Sequence, residues 1–357
     1  MYKTQINRDF VYLFGLIILI SILGLIAIFN ASVIEGFTSF NDKFHFVKQQ
    51  SIWLTIGLSL FLGIYLVPVD FMKKIALPLF LISLFCMVVV LIPGLGLKLQ
   101  GARRWLSLGF IGFQPSEFLK VTLILYLSVW FKQQRGLWYF TLLLGICLTL
   151  IMLQPDLGTA VIVATLGFGM YYLSGSNLKH LLVFVLILTA SILVLIFSSS
   201  YRRDRVKTFL DPTSDPQGKS YHINQVLLGL GSGGWFGVGL GRSRQKYAYL
   251  PEATTDSIFS IIGEETGFVG GTFYIAVLLA LTLLAFKISS QSRNLHQRLL
   301  SGGVGILIGS QTIVNLASMV ALVPLTGVPL PLISYGGSSV IVNFVSLGIL
   351  ASTTRHK

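Results

Sequence analysis

Apolar runs of roughly 18 residues or more recur along this chain, each long enough to cross a hydrocarbon core about 30 Å thick. They predict spans near 10–31, 47–68, 74–92, 115–131, 137–153, 157–173, 179–198, 267–288, 300–323 and 335–353. The pattern predicts an all-α integral membrane protein of about ten transmembrane helices, forming one polytopic domain over residues 1–357. One polar interval is long, residues 199–266, between the seventh and eighth spans. The stretch from Asp256 to Ile288 holds 33 residues, about 50 Å as one helix, which exceeds the hydrocarbon thickness. Gly267, Gly270 and Gly271 offer a break. They predict a short helix at about 255–266, at or dipping into the outer surface, followed by span eight.

Composition agrees: 54% of the 357 residues are hydrophobic and 11% charged, too apolar for a soluble protein of this size. Cys86 and Cys147 fall inside spans and read as small buried apolar residues, with no disulfide or metal framework. The first span follows Lys3 and Arg8 and is too long for a signal-peptide core, so it reads as a retained anchor.

Lys and Arg in the short loops set orientation. The side carrying both termini holds twelve of them and the other side five (Lys43, Lys48, Lys98, Arg103 and Arg104). This places both termini in the cytoplasm and the 199–266 loop outside. That loop carries eight further cations and seven carboxylates. Its cations run against the topology rule and call for anionic lipid headgroups or a phosphorylated substrate. An outer-face position argues against nucleic acid as a partner.

The loop has its own grammar. Asp211–Gly218 is a turn cluster, Tyr221–Leu230 a short helical pattern, and glycines crowd 229–241. No βαβ unit surrounds those glycines, so a dinucleotide loop is rejected in favour of close backbone packing or a re-entrant turn. Next comes the densest charge in the chain, Arg242-Ser243-Arg244-Gln245-Lys246, leading through Tyr247 and Tyr249 to Glu252 and Asp256.

Each candidate has a bland and a chemical reading. Asp256 begins the predicted short helix, where an acid favours the positive helix end. It also suits a general base taking a proton from a sugar hydroxyl. Arg242, Arg244 and Lys246 read as a solvated basic rim or as a clamp on a pyrophosphate. Arg103, Arg104 and Trp105 read as an interfacial anchor or as a site for an anionic headgroup and a stacked sugar. Glu117 and Lys120, three residues apart on span four behind Pro115, can pair on one face. An intramembrane pair is a functional candidate as well as a structural one. Asp156 stands at a helix start, where capping is favoured. Pro324, Pro329 and Pro331 with Ser334–Ser339 make a broken entry into span ten. The five histidines are scattered, without ligand spacing.

These pieces together resemble the SEDS proteins (shape, elongation, division and sporulation). The resemblance rests on Gly101–Trp105, Gln114–Glu117 with Lys120, Pro155–Thr159, Gly237–Gly241 with Ser243–Lys246, Leu250–Glu252 with Thr255-Asp256, Gly263–Glu265, and Pro329–Pro331 with Ser334–Ser339. It covers nearly the whole chain. The Gly-Val-Gly-Leu-Gly and Ser-Arg-Gln-Lys run is more similar to the division members than to the elongation members. One departure is Thr254, where a His is usual.

The resemblance implies a peptidoglycan glycosyltransferase at the outer face of the bacterial plasma membrane, acting in septal wall synthesis. Lipid II and undecaprenyl-linked glycan are the implied substrates. Asp256 becomes the catalytic carboxylate, and Arg103, Arg104, Trp105, Glu117, Lys120, Arg244, Gln245, Lys246, Glu252 and Ser334 become substrate-binding residues. A divalent cation, Mg or Mn, is an implied assistant without an evident ligand set. A class B penicillin-binding protein and other division proteins are implied partners. Two other readings stand beside it: a lipid II transporter, suggested by the Glu117–Lys120 pair and the broken helices, and a non-catalytic scaffold for the transpeptidase.

Overall fold

The computed structural model describes residues 8–99, 102–109, 111–133, 137–176, 203, 220–247 and 250–356. Among these residues are ten α-helices: α1 (Arg8–Phe40), α2 (His45–Leu66), α3 (Val69–Val89), α4 (Pro115–Trp130), α5 (Leu137–Leu153), α6 (Leu157–Leu173), α7 (Tyr221–Ser232), α8 (Ile258–Gln291), α9 (Leu295–Met319) and α10 (Gly337–Thr353). Nine of the ten predicted spans coincide with helices, and α7 is the short helix predicted in the long loop. Span seven at 179–198 and the turn cluster at 211–218 lie outside the described residues. By length and composition α1, α2, α3, α8 and α9 can each cross a membrane, and α5, α6 and α10 are shorter apolar helices.

Burial sorts the helices. Most residues of α4, α9 and α10 are buried, including polar ones such as Lys120, Gln311 and Asn343. On α2 and α3 most residues are at least partly exposed, so these helices turn apolar faces outward to lipid. Small residues set the closest approaches. A Cβ on Gly57 of α2 would lie 2.4 Å from the Phe344 ring of α10, and one on Gly348 of α10 would lie 3.0 Å from Phe61 O.

Helix ends are closed by identifiable partners. Beyond α1 the chain turns at Asn41 (φ 53), with Asn41 N–H donating to Phe37 O and Asp42 N–H to Gly36 O, a left-handed cap of the kind asparagine tolerates. Arg355 donates to Tyr65 O and Leu66 O at 3.1 and 2.8 Å, placing a cation on the negative end of α2. Asp156 caps α6, accepting from Thr159 N–H at 3.0 Å and from its hydroxyl at 2.9 Å, as its favoured reading predicts.

The predominantly helical plan acquires one addition that hydropathy did not reveal. The loop before α4 folds as a three-stranded antiparallel sheet, β1 (Gly96–Leu99), β2 (Ala102–Leu108) and β3 (Ile111–Phe113), in the order β1-β2-β3. These strands are too short to register against the long apolar runs beside them. The sheet is tied to α10, because Ser338 Oγ donates to Gly112 O at 3.0 Å and accepts from Gln114 N–H at 3.3 Å.

The predicted break is at Gly267. α8 runs for 34 residues, and Gly267 (φ 65, ψ −165) divides it into a short helix over 258–266 and a long one. A break frees backbone groups that lipid cannot satisfy. The glycine-crowded segment supplies the partners. Val238 and Gly239 N–H donate to Glu264 O and Glu265 O at 3.0 and 3.1 Å, while Phe268 and Val269 N–H donate to Gly234 O and Trp235 O at 2.9 and 3.1 Å. The exchange needs two backbones in contact. A Cβ on Gly237 (φ 80) would sit 2.1 Å from Glu265 O, and one on Gly267 would sit 2.3 Å from Gly237 N.

Substitution there separates crowding from dihedral strain. Gly267→Ala is expected to cost about 3 kcal/mol or more, because strain and clash with backbone add. Gly241→Ala also meets a positive φ (75), but with nothing within 4 Å, and should cost only about 1–2 kcal/mol. Thermal melting of the two variants in detergent checks the difference.

Candidate functional site

The long outer loop enters α8 through a tight turn. Glu252 is held in the left-handed region (φ 52), a strained conformation for a non-glycine residue that persists only when its surroundings enforce it. Its carbonyl accepts from Thr255 and Ser257 N–H, both at 3.2 Å. The Thr255 hydroxyl donates to Glu252 Oε2 at 2.8 Å and lies 3.2 Å from Asp256 Oδ1. Glu252 and Asp256 therefore flank one hydroxyl, an association that sequence spacing alone did not give.

Asp256 is buried, at 8% exposure. The helix cap is Ser257 and the helix begins at Ile258, so Asp256, expected at the helix start, stands just before it. What the fold grips is the backbone of this turn. Asn315 Nδ2 donates to Asp256 O at 2.7 Å and to Val328 O at 2.8 Å. Ser334 Oγ donates to Thr255 O at 2.6 Å and accepts from Leu330 N–H at 2.8 Å. Tyr335 N–H donates to Thr254 O at 2.9 Å. Thr254, where the resemblance led one to expect an imidazole, is thus buried and bonded through its carbonyl. The segment from Val328 to Ser334 is itself largely buried, so this irregular backbone is shielded by protein, as the broken entry into span ten required.

The basic run is organised by two buried carboxylates on the first segment of α8. Glu264 accepts from the Ser243 hydroxyl, from Arg244 N–H at 2.9 Å and from Gln245 N–H at 3.4 Å. Glu265 accepts from Ser243 N–H at 3.4 Å and pairs with Lys246 at 3.7 Å. Lys246 also donates to Gly241 O. Lys246, expected on phosphate, is buried and paired within the fold, and its pairing shapes the loop. Gln245 is half-buried. Arg242 and Arg244 stay exposed, anchored by backbone and available by side chain. Leu250 N–H donates to Gln245 O at 3.2 Å and links this loop to the Asp256 turn.

Two other candidates have their hydrogen-bonding groups engaged within the fold. Arg104 donates to Gln154 O at 2.9 Å and to Pro155 O, so its guanidinium closes the α5–α6 corner, where a substrate contact was expected. Ser334, expected on substrate, has its hydroxyl committed in both directions. Trp105 is half-buried and packs over Gly112. Arg103 lies across a bulge in β2: Trp105 pairs with Leu97 and Arg103 with the next residue, Lys98, so the two side chains do not follow simple alternation. Glu117 and Lys120 form the predicted pair at 2.6 Å, with side chains 4% and 1% exposed, inside α4. Glu117 Oε2 and Ser116 Oγ are buried without a hydrogen-bond partner. Asn315 and Glu264 were missed as organisers. The signal for Asn315 was a lone amide within an apolar span, which lipid disfavours unless it is bonded.

Among the described residues no three His, Cys, Asp or Glu side chains come together.

Two outcomes test this geometry. Lys120→Met leaves Glu117 buried and unpaired and should destabilise by about 3 kcal/mol or more, while Glu117→Gln/Lys120→Met recovers most of that loss in thermal melts. Glu264→Ala removes about 2 kcal/mol of charge-assisted hydrogen bonding from the basic loop, so tryptic cleavage after Arg242 and Arg244 should accelerate by about tenfold or more.

A family model described as cell cycle protein, FtsW/RodA/SpoVE, matches residues 10–357. A relative from Geobacter sp. (strain M18), named a probable peptidoglycan glycosyltransferase FtsW, is 35% identical over 350 residues, covering 95% of each chain. Stage V sporulation protein E of Bacillus subtilis (strain 168) is 34% identical over 350 residues, again covering 95% of each. Among solved structures, a chain of a peptidoglycan synthase complex described as coordinating polymerization and crosslinking superposes with a TM-score of 0.80 at 29% identity, covering 97% of this chain and 98% of that one. The rod shape determining protein RodA of Thermus thermophilus superposes with a TM-score of 0.70 at 29% identity, covering 97% of each.

Proposed function

This chain belongs to the FtsW/RodA/SpoVE family of cell cycle proteins, and from that premise we propose that it is a peptidoglycan glycosyltransferase that polymerises lipid II with Asp256 as general base. The observation that carries the assignment is the manner of holding Asp256. Asn315, Ser334 and Tyr335 fix the peptide groups of residues 254–256, and exposed arginines lie on the adjoining loop.

Asp256 takes the proton from the GlcNAc 4-hydroxyl of the acceptor as that oxygen attacks C1 of the MurNAc donor. The new C1–O4 bond forms on the face opposite the leaving group. The bond from C1 to the diphosphate oxygen breaks, and undecaprenyl diphosphate departs with the electron pair. An α-linked donor thus gives a β-1,4 bond. Arg244 is the binding group for the diphosphate, since its guanidinium can take phosphate oxygens bidentately. Arg103 and Trp105 are a second contact, for an anionic headgroup and a sugar face. Arg104, Lys246 and Ser334 shape the site without touching substrate.

The relation to a peptidoglycan synthase complex supports a transpeptidase of the penicillin-binding class as partner. The Lys and Arg distribution supports cytoplasmic termini, and the relation to division proteins supports action at the division site.

Lipid II polymerisation by the purified protein, followed as glycan on a gel, is the test. Asp256→Asn is nearly isosteric and leaves the backbone contacts in place, so the variant should fold, yet lose about 10²-fold or more in rate. Undiminished polymer from that variant would overturn the role. Arg244→Ala should raise KM with little change in melting temperature, whereas Arg104→Ala should lower the melting temperature with KM unchanged.

A further inference from the structure

His222 lies in the first turn of α7, and its Nε2 is 2.7 Å from Ser257 Oγ. Ser257 follows Asp256 directly and is fully buried, at 0% exposure. As the cap residue of the short helix, Ser257 would ordinarily turn its hydroxyl to that helix, but it makes no such bond. The hydroxyl is committed sideways to the imidazole. Either tautomer serves, with Nε2 accepting from the hydroxyl or Nε2–H donating to it. α7 is in turn fixed to α8 one turn further on, where Ser260 Oγ donates to Val226 O at 2.9 Å. The side chains of Asn315 and Ser334, which hold residues 255 and 256, come from α9 and the segment before α10. His222 holds residue 257 from the outer loop.

We propose that His222 is a positioning residue for Asp256. Acting through Ser257, it completes the grip on the turn and fixes the direction in which the carboxylate leaves it. The proposal rests on the reading of Asp256 as the base. General-base catalysis needs the carboxylate within hydrogen-bond reach of the attacking hydroxyl, and a misplacement of about 1 Å can cost about 10²-fold in rate. Losing the His222–Ser257 bond therefore acts on turnover and leaves the pyrophosphate contacts that set substrate affinity in place.

The test is steady-state lipid II polymerisation by the full chain for His222→Leu, His222→Gln, Ser257→Ala and His222→Leu/Ser257→Ala, with melting temperatures for each and Asp256→Asn in parallel. His222→Leu and Ser257→Ala should each lower kcat by about tenfold or more with KM within about twofold of wild type. The double variant should be no slower than the slower single variant, because both remove one bond. His222→Gln, which can donate or accept from a similar position, should restore most of the rate. Unchanged kcat in His222→Leu, a KM rise in place of a kcat loss, or multiplying effects in the double variant would overturn the proposal. So would a rate loss that follows a fall in melting temperature and is not rescued by glutamine. If His222→Leu does not fold, Ser257→Ala decides alone, since it removes only the hydroxyl. Full activity in Asp256→Asn would sink the reading of the base itself. An inactive Asp256→Asn beside a fully active His222→Leu would sink only the positioning role.

Discussion

The exchange of backbone hydrogen bonds across Gly267 is the constraint on which the outer half of this protein depends. A helix interrupted near lipid leaves carbonyls on one side and amides on the other, and neither can remain bare. The 234–239 segment is an irregular backbone with the same need. Each satisfies the other through four bonds, and glycine at 237 and 267 permits the approach. The break then becomes an anchor. Glu264 and Glu265 use their carbonyls to hold residues 238 and 239 and their carboxylates to hold residues 243–246. Asp256 stands two residues before the same short helix, so the basic loop and the Asp256 turn inherit one rigid reference.

The carboxylates of the chain divide by what the fold does with them. Glu264 and Glu265 are buried and receive several donors each. Glu117 is buried against Lys120, and Asp156 receives Thr159 twice. In each case the side chain is the point of attachment, as expected of a buried charge that must be paired or hydrogen-bonded. At Asp256 the Thr255 hydroxyl lies 3.2 Å from Oδ1, and the fold also grips the peptide groups of residues 254–256 through Tyr335, Ser334 and Asn315.

The sequence made the scaffold readable and left the wiring hidden. Long apolar runs located nine helices, though not all their ends, because hydrocarbon thickness sets both length and polarity of the spanning part. Gly267 was legible because a helix of that length needs a break and only glycine stood where one was due. The sheet at 96–113 was not legible, since its strands are short and its pairing is set by contact with α10. Residue type suggested phosphate binding equally for Arg104, Arg244 and Lys246. What separates them is whether a carbonyl or a carboxylate already occupies the cation, and that is a property of tertiary packing. Asn315 and His222 carried signals, an amide within an apolar span and an imidazole in the outer loop, but their partners lie 59 and 35 residues away.

The outer cations also look different once their partners are known. They exceed what insertion rules favour, and a substrate is one explanation for any such surplus. Most of those with described partners have a nearer one. Lys48 pairs with Asp42 at 2.7 Å, Lys246 with Glu265 at 3.7 Å, and Arg104 serves two carbonyls. Arg242 and Arg244 are exposed, on a loop whose backbone is fixed from below by Glu264. A fixed backbone lowers the entropy lost when an exposed side chain closes on a ligand. The buried carboxylates therefore do more than balance charge: by committing Lys246 and the loop amides, they leave the Arg242 and Arg244 side chains exposed on a rigid base.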